Sequence, residues 1–222
     1  MLVLNKNKMK DIINIEKFFM EVEKIVAGKT IPLEKINKRK NHFKLLVSTV
    51  LSARTKDETT APIVEELFKY IKTPEDLARI NNKKLEKIIY GTGFYKTKAR
   101  NLKRLGKMLV EDFDSRVPDT IEELIKLPGV GRKTANLVVS VGFNKKGICV
   151  DTHVHRITNR WGYVKTKNPF QTEMELRKKL PKKYWKKINS LLVKFGKYFC
   201  KPINPPCEEC PLNEECEYGK KI

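Results

Sequence analysis

No run in this 222-residue chain is apolar for long enough to span a bilayer, so a membrane-embedded protein is not expected. The opening Met1-Leu-Val-Leu-Asn-Lys6 is too short an apolar stretch for a secretory signal, which points to a soluble, intracellular chain. Strand-like alternation of apolar and polar residues is scarce, so sheet folds recede. Internal repeats, low-complexity tracts and flexible linkers are missing too. Gln171 is the only glutamine, and with abundant Lys and Glu it leans towards a thermophilic source. Acidic residues are few beside basic ones, 26 against 47, for a net charge of +21. That imbalance creates a field that draws polyanions, and nucleic acid is the expected partner. Cysteine is absent before Cys149, and the other four lie at Cys200, Cys207, Cys210 and Cys216. Disulfides are rare in a cytosolic chain, so four close cysteines suggest a metal site. Cys149, between Ile148 and Val150, reads as a small buried apolar residue.

What the sequence does contain is helix-period apolar spacing almost throughout, and the fold class expected is all-α. Residues 11–27 carry one stripe, Ile12, Ile15, Phe19, Val22 and Val26. Residues 41–52 are more continuously apolar and read as a buried helix. A helix over 61–71 has Pro62 in its first turn. Thr73-Pro-Glu-Asp76 is a helix start, with a capping Thr and acids in the first turn. Helices follow over 82–90 and 95–112, separated by Gly91-Thr-Gly93. Thr120-Ile-Glu-Glu123 is a capping box for a short helix ending at Leu127. A helix over 132–143 comes next. Asp151 is placed as the N-cap of a helix carrying Val154, Ile157 and Trp161 on one face, stopped by Gly162. Pro169 opens another helix, and 182–199 reads as one long helix with a core stripe from Trp185 to Phe199.

Between the helices at 120–127 and 132–143 lies Leu127-Pro-Gly-Val-Gly-Arg-Lys133. Its glycines permit a tight turn whose backbone N–H groups, with the next helix start, can hold a phosphate directly or through a bound cation. The same seven residues also fit an ordinary surface turn with solvated Arg132 and Lys133. Two cations at a helix N-terminus oppose the local dipole. A lysine there is pushed towards its neutral, nucleophilic form by the dipole and by its neighbour. It also fits a plain phosphate-binding cation, and Asp151 a plain cap. Four cysteines spaced as Cys200-x6-Cys207-x2-Cys210-x5-Cys216 can hold tetrahedral zinc or an iron–sulfur cluster.

Leu127-Pro-Gly-Val-Gly-Arg-Lys-Thr-Ala-Asn136 followed by Val150-Asp-Thr-His-Val-His-Arg-Ile-Thr-Asn-Arg160 resembles the helix–hairpin–helix–Gly/Pro–Asp signature of the endonuclease III family of DNA repair glycosylases. Leu51-Ser-Ala-Arg-Thr-Lys-Asp57, Gly93-Phe-Tyr-Lys-Thr-Lys-Ala99 and the cysteine tail extend the resemblance over residues 36–218. It implies two lobes. One is a six-helix barrel over 36–145 carrying the hairpin. The other joins 1–35 with 146–222 and the cluster loop, and DNA lies in the cleft between them. Lys133 would attack the sugar C1′ of a damaged nucleotide, displace an oxidised pyrimidine, and cut the strand by β-elimination, with Asp151 supporting charge and proton transfer. Leu127, Gly129, Val130, Gly131 and Arg132 would grip phosphate, with a monovalent cation at the hairpin. Arg54 would fill the gap left by the flipped nucleotide, in place of the family's usual Gln. Phe94 would wedge beside the orphan base, where an aliphatic residue is usual. His153 would lie near the active site, while His155 fits an exposed polar position. The four tail cysteines would hold a [4Fe–4S] cluster. The expected partner is double-stranded DNA with a damaged base or abasic site. The expected state is a monomer at the nucleoid of a prokaryotic cytoplasm. Two rivals stand beside this reading: a monofunctional mismatch glycosylase, and a non-catalytic helix–hairpin–helix module.

Overall fold

A computed structural model describes the backbone of residues 6–31 and 41–221, with side chains for 15–31, 41–56 and 58–221. The side chain of Ile12 in the N-terminal stripe and the expected barrel start at residue 36 lie outside these. The described residues are all-α, and among them no helix is long and apolar enough to cross a membrane. The chain divides into two compact units, Pro32–Gly147 and Met1–Ile31 with Ile148–Ile222.

The unit at 32–147 holds α2 (His42–Ser52), α3 (Asp57–Tyr70), α4 (Pro74–Arg79), α5 (Asn82–Ile88), α6 (Tyr95–Asp112), α7 (Ile121–Leu124) and α8 (Arg132–Leu137). In α2 every residue from Leu45 to Leu51 is buried, as expected of a helix apolar on all sides. Its two hydroxyls satisfy themselves on the preceding turn, Ser48 donating to the Lys44 carbonyl and Thr49 to that of Leu45. Thr73 caps α4 reciprocally with Asp76. Leu102, Leu105 and Leu109 of α6 complete the core with Leu46, Leu67 and Leu77. Burying a leucine fully contributes about 2 kcal/mol. α3 starts at Asp57, so Pro62 sits inside the helix and not in its first turn. Past α8 the chain continues as a π-helical turn over Val138–Gly142, where the Phe143 N–H reaches back to the Val138 carbonyl at 3.2 Å.

The other unit packs α1 (Lys6–Ile25) with α9 (Thr152–Trp161), α10 (Pro169–Lys179) and α11 (Ile188–Tyr198). Aromatic stacking joins them: Phe18 lies on Trp161 with ring centroids 3.9 Å apart, and Phe19 on Tyr184 at 4.1 Å. The expected long helix over 182–199 is two pieces, a 3-10 turn at Lys182–Tyr184 and α11. The break has a packing cause. Tyr184 is held on Phe19, and the Trp185 indole donates to the Leu180 carbonyl at 2.9 Å, which tightens the turn ahead of α11.

Candidate functional site

Thr120 opens α7, its hydroxyl accepting the Glu123 N–H at 3.3 Å and donating to the Glu123 carboxylate at 2.6 Å. The predicted capping box is thus closed hydroxyl to carboxylate. Leu127 and Val130 are buried and anchor the turn, and the Val130 N–H returns to the Leu127 carbonyl at 3.1 Å. Gly129 has φ +82, a left-handed value that disfavours any side chain. Gly131 is the N-cap of α8, and a methyl group built on it would meet open space within 4 Å. No internal packing therefore requires a glycine there; its bareness leaves room for something from outside. Lys133 follows in the first turn and is exposed, with Arg132 half-buried beside it. From Thr134 to Ser140 every residue is buried, so the helix plunges into the core directly after Lys133.

Asp151 caps α9 as its sequence position predicts. Its Oδ1 accepts the backbone N–H groups of His153 at 3.0 Å and Val154 at 2.9 Å. Both bonds use one oxygen, so Oδ2 stays outside the cap. His153 packs against the bare backbone of Gly196 in α11, in contact with Arg156. His155 does not occupy an exposed polar position. It is half-buried, 2.6 Å from the Thr172 hydroxyl and 3.2 Å from the Asn159 amide, and burial pushes its imidazole below the usual range. Lys133 belongs to the unit at 32–147 and Asp151 to the other.

Arg54 and Phe94, also singled out in the sequence, are brought together. Both are exposed, both have a left-handed backbone (φ 55 and φ 58), and the guanidinium lies 5.5 Å from the phenyl centroid. Sequence reasoning missed what lies beneath them. Lys98 is only 7% exposed, and burial pushes its amine down to about 8. The signal was present: Lys98 stands on the apolar register of α6 that continues through Leu102, Leu105 and Leu109.

The cysteine tail requires a correction. Among the described residues, no group of three or more His, Cys, Asp or Glu could hold a metal ion. The [4Fe–4S] cluster expected at Cys200, Cys207, Cys210 and Cys216 is therefore not supported. The four do line one pocket of about 40 Å³, and two of the sulfurs meet Arg160. Cys200 accepts from the Arg160 guanidinium at 3.7 Å, and the Cys216 thiol donates to the Arg160 carbonyl at 3.5 Å. Burial first, and neighbouring cysteines after it, push the Cys207 thiol up, and burial likewise raises that of Cys210. The tail is held instead by two arginines one turn apart on α9. Arg156 donates to the Cys200 carbonyl at 2.8 Å, and Arg160 to those of Lys201 and Pro202, each at 2.7 Å.

Residues 47–182 match the pattern of the HhH-GPD superfamily base excision DNA repair proteins. Endonuclease III of Thermotoga maritima is 49% identical over 185 residues, covering 83% of this chain and 87% of that one. The Bacillus subtilis endonuclease III is 42% identical, covering 82% and 83%. The structure of a trapped endonuclease III–DNA covalent intermediate superposes with a TM-score of 0.85 at 37% identity, covering 100% of this chain and 99% of that one.

Proposed function

Since the chain belongs to the endonuclease III family of base excision DNA repair proteins, we propose that Lys133 and Asp151 perform its glycosylase and AP lyase steps on oxidised pyrimidines. The substrate is double-stranded DNA carrying a damaged base or an abasic site, met by a monomer. The observation that carries the assignment is the setting of Lys133. It is an exposed primary amine in the first helical turn, directly after a glycine turn whose Gly131 leaves open space.

A base inside a duplex must first be swung out, at a cost of a few kcal/mol that is least for a damaged base. The Lys133 nitrogen then bonds to C1′ of the sugar, its proton passing to the departing base. The bond from C1′ to the base breaks, its electron pair leaves with the base, and the base takes up that proton. Opening of the sugar ring gives a Schiff base between Lys133 and C1′. Removal of a C2′ proton expels the 3′ phosphate, which cuts the strand, and water releases the lysine. Asp151 stabilises positive charge on the sugar and handles protons, through the Oδ2 that its cap leaves unused. The free energy of the attack comes from orientation and charge stabilisation supplied by the folded chain. A monofunctional mismatch glycosylase has no use for an amine at this place, so Lys133 favours the lyase.

The test is borohydride trapping with duplex DNA containing thymine glycol or an abasic site. The wild-type protein gives a covalent adduct, and Lys133→Gln gives none. Asp151→Asn keeps a good N-cap residue, so it folds normally while its rate falls about 10²–10⁴-fold. Tight binding with intact DNA and no adduct would overturn the proposal in favour of the non-catalytic module.

A further inference from the structure

Two loops of the unit at 32–147 each hold a side-chain-bearing residue in the left-handed region, Arg54 and Phe94. Such a backbone is uncommon and persists only where its surroundings enforce it. Phe94 is also the N-cap of α6, without any side-chain cap, and it is 65% exposed. An exposed ring under a guanidinium contributes nothing to the core. It matches the chemistry of unstacked nucleic acid, where aromatic faces stack on bases or wedge between base steps and arginines meet phosphate and base edges.

The enforcing element is Lys98. From the second turn of α6 its amine donates to the Leu51 carbonyl at 2.6 Å and to the Thr55 hydroxyl at 2.9 Å. Leu51 lies in the last turn of α2, where the carbonyls carry partial negative charge and a cation is favoured. The same Thr55 hydroxyl accepts the Gly93 N–H at 3.0 Å and lies 3.4 Å from the Ala53 carbonyl to which it donates. One hydroxyl thus joins Lys98, the loop of Arg54 and the loop of Phe94, with both acceptor positions and its proton in use. The loops touch closely: a methyl group on Gly93 would lie 2.8 Å from the Arg54 carbonyl oxygen.

We propose that Lys98 is a positioning residue: acting through Thr55, it locks the loop of Arg54 to the loop of Phe94, so that both side chains enter the DNA stack as one rigid wedge. The energetic role is preorganisation. The loops are ordered before DNA arrives, so binding does not have to order them. The inference rests on the reading of the chain as an enzyme of damaged duplex DNA, but its test requires no chemistry.

The probe is a duplex with a tetrahydrofuran abasic analogue opposite 2-aminopurine, whose fluorescence rises when it is unstacked. Wild-type protein raises the signal several-fold. Lys98→Met and Thr55→Val each lose at least half of that rise and dissociate at least tenfold faster, and Thr55→Ser, which restores the hydroxyl, recovers both. If Lys98→Met does not fold, Thr55→Val decides, because it leaves the bond from Lys98 to Leu51 in place. Wild-type fluorescence and dissociation in the folded variants would overturn the proposal. So would a loss in Thr55→Val that Thr55→Ser fails to restore, or no rise with the wild-type protein. A wild-type protein that raises the fluorescence yet gives no borohydride adduct sinks the catalytic reading and leaves this one standing.

Discussion

Lys98 carries an amine where α6 otherwise presents leucine, and its titration gives a measurable signature. Burial lowers its pKa from 10.5 to about 8, so the folded protein gives up this proton before the unfolded chain does. Between those values the unfolded chain binds more protons, and this residue makes stability rise with pH across the window. Below pH 8 both states hold the proton and the cost of burying the charge is fully present. Denaturant unfolding at pH 8 and pH 10.5 tests this: the wild-type protein gains stability relative to Lys98→Met over that interval, and parallel behaviour of the two would refute it. At this scale the sequence was legible where one residue's role depends on its close neighbours. Asp151 was readable as a cap because a cap is satisfied two and three residues away. The Lys98–Thr55 bond was not, because its partners are 43 residues apart and periodicity registers a lysine simply as polar. His155 was misread as exposed for the same reason: its partner Thr172 comes from another helix.

Among the elements, α9 organises the tail that follows α11. Arg156 and Arg160 sit on one face of it and grip three successive carbonyls, those of Cys200, Lys201 and Pro202, while the Arg160 guanidinium also stacks on Tyr218 at 4.3 Å. Hydrogen bonds from a charged donor contribute about 1.5–3 kcal/mol each when well made. Arg160→Ala is therefore expected to loosen residues 200–218 before the rest of the unit. Limited proteolysis should then cut there at least tenfold faster than in the wild type, while helical circular dichroism changes little. Equal cleavage would show that the tail is held by other contacts. Cysteine spacing predicted how many sulfurs share a short loop. It carries no information on where each sulfur points, which depends on packing such as the contacts of Cys200 and Cys216 with Arg160. The same limit applies to the run over 182–199, whose apolar period survives a break because Trp185 and Ile188 remain buried on either side of it.

For the whole molecule, the net charge of +21 is the property most directly read from composition, and it fixes how binding responds to salt. Each phosphate neutralised by a cation contributes about 0.9 to the slope of log affinity against log salt on duplex DNA. We expect undamaged duplex binding to weaken steeply between 50 and 200 mM salt, by about 10³-fold if six phosphates are engaged. Fluorescence anisotropy over that range measures the slope, and a flat response would show that the surplus charge does not face DNA. The all-α class was legible throughout, because helical periodicity is a local property repeated in every element. What lay beyond the sequence was geometry that depends on the packed whole: the shared hydroxyl of Thr55, the bare backbone of Gly196 beneath His153, and the stacking of Phe18 on Trp161.

The π-helical turn at Val138–Gly142 adds one residue to the count of an otherwise regular helix. In genetic terms it is a single codon. The wide turn takes five residues where an α turn takes about four, so deleting one codon there would let the segment close as ordinary α-helix while α8 keeps nearly the same facing relative to Phe143. Lys133 would keep its amine, its glycine turn, its neighbours and its aim. The codon is thus a spare one, carried in a stretch whose Val138 and Val139 lie in the core and dispensable for where that side chain points.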